Sequence, residues 1–152
     1  LMTQALYKKV DLTMALNGAL AGLVSITAGP DLTNHMMSIV IGGIGGVLVV
    51  IAVPLLDKLK IDDVVGAISV HLVAGIWGTL AVGIFGSGDL RVQIIGIVAI
   101  GVFVIVTSSI VWLALKYTIG IRVSDEDEDL GLDMVELGLE AYPEFGRGSQ
   151  RG

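Results

Sequence analysis

Few side chains in this sequence are equipped for chemistry, and their positions narrow what that chemistry is. His71 is the only titratable residue in the stretch 64–88 and stands eight residues past Asp63. At a helical rise of roughly 1.5 Å per residue, that spacing puts the imidazole about 12 Å into an apolar segment. A titratable group at such a depth is costly and usually faces a protein interior or an aqueous path. Imidazole in apolar surroundings sheds its proton and offers one donor and one acceptor nitrogen. Such a ring suits a small solute that both donates and accepts, or a proton handed along a path. A ring satisfied by a neighbouring backbone carbonyl is the plainer alternative.

The other candidates carry less. His35 lies four residues after Asp31, where interfacial polar groups are ordinary, and Asn17 is suited to an interhelical hydrogen bond. Ser108 and Ser109 have no nearby base, so no serine nucleophile is expected. Two histidines 36 residues apart, with no acid inside an apolar stretch, make no metal ligand set. Without Cys there is no disulfide framework and no thiolate chemistry. The missing intramembrane carboxylate also counts against proton pumps and rotary proton carriers. The expectation is therefore a non-enzyme with no catalytic residue, cofactor or metal.

The elements that must position His71 are read from the charge-free windows. Of 152 residues, 54% are hydrophobic and only 16% charged, unlike a soluble domain. A bilayer core needs about 20 apolar residues of helix to cross it. Spans are predicted at about 12–30, 32–56, 64–88 and 92–115. The first carries Thr13, Asn17, Ser25 and Thr27, and a buried helix is its alternative. The fold class predicted is all-α, a polytopic membrane helix bundle, with a membrane domain over 1–118 and an acidic tail over 119–152. Glycines four apart, Gly18 with Gly22 and Gly42 with Gly46, and Gly75 near Gly78, are the small residues that let membrane helices approach closely.

Sidedness follows from Lys and Arg. Lys8, Lys9, Lys58, Lys60, Lys116 and Arg122 fall on one side and only Arg91 on the other, which places the tail in the cytoplasm. A first crossing that starts there, from Leu1 rather than an initiating Met, is most simply explained by a missing upstream region. No signal peptide is recognisable. Nine Lys/Arg against 15 Asp/Glu, without a basic patch, exclude a nucleic-acid surface. The block from Asp125 to Asp129 reads as a self-repelling, solvated run. Asp133 with Glu136 has the spacing of a capping box, with Leu132, Val135 and Leu139 on one face, and nothing past Glu144 is expected to be ordered.

The stretch DDVVGAISVHLVAGIWGT (62–79) resembles the tenth helix of ammonium transporters of the Amt/Mep/Rh family. NGALAGLVSITAG (17–29) is similar to the eighth helix, while GIRVS (120–124), GLD (131–133) and EAYP (140–143) are similar to the cytoplasmic tail. The likeness implies the last four of eleven helices and makes His71 the second of a histidine pair lining a narrow pore, its partner lying on the fifth helix. Ala67, one turn earlier, is a candidate for the same wall. Gly120, Arg122, Gly131, Asp133 and Tyr142 are the tail positions it points to. It further implies a homotrimer, a PII-type regulator at the inner mouth, and a multi-pass protein of the cell (inner) membrane. The species carried would be ammonium, deprotonated on entry and passed as ammonia. Gly66, where some bacterial members carry Asp, and Leu137, in place of a tail His, depart from the pattern. A sensor signalling through its tail, or a scaffold that transports nothing, are the competing readings.

Overall fold

The structure, a computed structural model, describes residues 2–32 and 34–139. Among these every regular element is helical: α1 (Met2–Tyr7), α2 (Leu12–Thr27), α3 (His35–Lys58), α4 (Ile68–Phe85), α5 (Leu90–Thr118) and α6 (Asp125–Leu130). The first six residues of α4, Ile68–Val73, form a π turn, and a second π turn spans Asp133–Leu137. Helices α3, α4 and α5 are long and apolar enough to cross a membrane. Helix α2 is apolar but has 16 residues, about 24 Å of rise, so it falls short of the expected first span. The chain divides into two compact units, Leu1–Val104 and Ile105–Gly152, with α5 contributing to both.

In the first unit, α2, α3 and α4 meet through small residues. Gly22 lies so near Gly42 that a Cβ on either would touch the other's backbone at 3.4–3.5 Å, and one on Gly46 would touch the Gly18 carbonyl at 3.5 Å. Gly78 is closer still: a Cβ there would lie 2.5 Å from the Ser25 carbonyl oxygen. Backbones thus approach where membrane helices lack a hydrophobic drive to associate. Ala21, Val49, Val70 and Ala74 form the small core, and the Trp77 indole N–H donates to the Ile41 carbonyl at 3.0 Å, tying α4 to α3. Many large apolar residues elsewhere point outward. Helix α5 buries none of its residues, although it displays Ile95, Ile100, Phe103 and Ile105. A surface this apolar suits lipid or further protein, not water.

In the second unit the acidic block is helical. The Ser124 side chain caps α6, its Oγ accepting the Asp127 N–H at 3.1 Å while its hydroxyl donates to the Asp127 carboxylate at 2.7 Å. Four acids in the first turn lie against the positive end of the helix dipole, which offsets the mutual repulsion expected from the sequence. The anticipated capping box at Asp133 does not form. Asp133 contributes its backbone carbonyl to the Leu139 N–H, and the π turn has no side-chain cap. Residues past Glu144 lie outside the described residues.

Candidate functional site

His71 occupies the fourth position of the π turn that opens α4. Such turns interrupt regular i→i+4 bonding and recur at functional sites. Ser69, Val70 and Ala74 are buried against the bundle, whereas Ala67, His71 and Leu72 are exposed. The ring is therefore not sealed in dry packing within this chain. No other side chain on α4 is titratable.

The eight residues from Asp63 to His71 are not one continuous helix. Helix does not begin at Asp63, because Gly66 adopts φ +78° and breaks the chain direction there. His71 lies four residues past Ala67, about 6 Å of helical rise, so the 12 Å expected from a helix starting at Asp63 does not apply. A left-handed residue ahead of a helix resets the register that residue counting assumes.

Immediately before the turn stands a clamp. The Asp63 carboxylate accepts the Ile68 N–H at 2.9 Å, the Ser69 N–H at 3.0 Å and the Ser69 hydroxyl at 2.9 Å. Burial pushes this carboxyl up, but the bonds from Ile68 and Ser69, with a further one from the Ala67 N–H, outweigh it and hold it below the ordinary carboxylate range. Asn17, nine-tenths buried on α2, closes over the same turn: a Cβ on Gly66 would lie 2.6 Å from its Nδ2. Gly suits the position, both for its φ and for the approach of Asn17. Asp63 and Ser69 stand outside the site candidates drawn from the sequence. The signal for them is an Asp followed three residues later by Gly, just before an apolar helix.

The remaining sequence candidates fall elsewhere. His35 is exposed at the first position of α3, behind the cap made by Asn34 Oδ1 on the Met36 and Met37 N–H groups. Gly120 and Gly131 bound the second unit's loop and helix with φ +86° and +94°. Arg122 pairs with Glu128 at 2.6 Å, both side chains well exposed, and Asp133 begins the short π turn. Tyr142 lies outside the described residues. A groove of about 380 Å³ between α1, α2 and α3 is lined by groups such as Met14, Gly18, Gly46 and Val50, with no titratable side chain among them, and does not include His71.

Close-packed small-residue crossings, outward apolar surface and three helices of spanning length define a polytopic membrane helix bundle. The chain belongs to the Ammonium Transporter Family, whose profile matches residues 1–142. It is 42% identical over 134 residues to a putative ammonium transporter of Synechocystis, covering 86% of this chain and 30% of that protein. It is 41% identical to ammonium transporter Amt1 of Haloferax mediterranei, over 90% of this chain and 28% of the relative. To ammonium transporter Amt2 of Archaeoglobus fulgidus it is 39% identical, over 90% and 34%. The chain thus spans about a third of the length of these relatives.

Proposed function

We propose that this chain forms the C-terminal part of a membrane channel for ammonium or ammonia, with His71 lining the route and Ala67 on the same wall. The observation that carries the reading is His71 itself, the one titratable side chain on α4, exposed on a helix able to cross a membrane in a chain of this family. Ammonium in an apolar passage loses its hydration at heavy cost, so a narrow route favours the deprotonated species. A neutral imidazole then supplies one acceptor for the N–H groups of ammonia and one donor for its lone pair. The mechanism is thus transport without covalent chemistry.

Family membership supports a homotrimer in the cell membrane with a PII-type regulator at its cytoplasmic face. The six-to-one distribution of Lys and Arg supports a cytoplasmic tail, in which Gly120, Arg122, Gly131, Asp133 and Tyr142 are the contact candidates. The test is uptake of labelled methylammonium by cells without other ammonium carriers, with the protein expressed from its complete reading frame. Uptake above the empty-vector level is expected. None, with the protein present in the membrane, would remove the transport reading.

A further inference from the structure

We infer that Ser69, held by Asp63, is a positioning residue that sets the direction in which His71 faces. The inference rests on His71 being pore-lining. A helix start leaves four N–H groups without intrahelical partners. Here Asp63 takes those of Ile68 and Ser69, and the Gly66 carbonyl takes that of Val70 at 2.8 Å. The same carboxylate also takes the Ser69 hydroxyl, so this residue is gripped by backbone and side chain together while fully buried.

At roughly 100° per residue, positions two apart on a helix face nearly opposite sides. Fixing Ser69 inward therefore turns His71 outward, as found: Ser69 is 0% exposed and His71 lies on the open surface. The π turn makes this grip consequential. Its i→i+5 bonding is the rarer arrangement, and a slip to α-helical bonding within 68–73 would rotate the remainder of α4 by about one residue, roughly 100°. The Asp63–Ser69 pair ties the buried side of that turn in place.

The experiment uses the protein expressed from its complete reading frame, reconstituted in liposomes. It compares wild type, Ser69→Ala, Ser69→Thr, His71→Ala and the Ser69→Ala/His71→Ala double variant. The readouts are the ratio of ammonium to methylammonium rates and the pH profile of transport, neither of which a mere fall in the amount of folded protein would move. Ser69→Ala should change the ratio about three- to tenfold, the equivalent of one net hydrogen bond, and displace the pH profile. Ser69→Thr, which keeps the hydroxyl, should restore both towards wild type, and Ser69→Ala should add nothing once His71 is gone. If Ser69→Ala matches wild type while His71→Ala differs, or if Ser69→Thr is no better than Ser69→Ala, the positioning role is overturned and the pore reading stands. A silent His71→Ala overturns both. Should Ser69→Ala not reach the membrane, Ser69→Cys replaces it, and an unchanged ratio and profile in that variant overturns the inference.

Discussion

Replacing Gly66 with Ala tests the turn that sets His71's register, and its cost can be worked from two separate contributions. The first is conformational: an L residue at φ +78° costs roughly 1–2 kcal/mol. The second is crowding, since the new Cβ would lie 2.6 Å from Asn17 Nδ2 and 3.3 Å from its Cγ; the near atom is the end of a side chain that can turn aside, so the cost sits at the low end of overpacking, about 1 kcal/mol. Gly66→Ala should therefore destabilise by roughly 2–3 kcal/mol. Asn17→Ala removes the crowded atoms and leaves the backbone cost, so a double-mutant cycle should give a coupling of about 1 kcal/mol. Gly66→Asp should suffer less from the backbone, because Asp tolerates the left-handed region, but equally from Asn17. The assay is reversible unfolding in mixed micelles followed by circular dichroism. A Gly66→Ala cost below about 0.5 kcal/mol would refute the left-handed turn, and a coupling near zero would refute the Asn17 contact.

Three other outcomes rest on named contacts. Gly78→Ala should cost about 1–3 kcal/mol in the same unfolding assay, because its Cβ meets the Ser25 backbone at 2.5 Å, whereas Gly96→Ala, with open space around it, should not destabilise. The Asp63 carboxyl lies below its ordinary value in the folded chain, so its contribution is fully present above about pH 3.9 and lost as pH falls below that towards the native value. A pH series of unfolding midpoints should show this loss in wild type and not in Asp63→Asn. Ser124→Ala should weaken α6 by about 0.5–2 kcal/mol, seen as faster amide exchange across residues 125–130.

The long apolar helices are legible in the sequence because a bilayer imposes a length on them, and residue counting is enough to find α3, α4 and α5. The glycine pairs announce the crossings for a related reason, since only small residues let backbones meet, as at Gly22 with Gly42. His71 stands out as a lone titratable group. Its environment is not legible, because a single left-handed residue, Gly66, breaks the helix inside a stretch whose hydropathy is continuous. Nor is the reach of Asp63 over five and six residues, which no capping pattern of fixed spacing describes. The acidic block misleads because charge alone says repulsion, while Ser124 one position earlier turns those charges to the favourable end of a helix.

On the proposed function His71 faces the path of the transported species, and one comparison reaches this directly. Ammonium and methylammonium uptake are measured for wild type and His71→Ala, expressed from the complete reading frame and matched for protein in the membrane. A changed rate or a changed ratio between the two substrates is the predicted result. Equal rates and an equal ratio would place His71 away from that path and contradict the account.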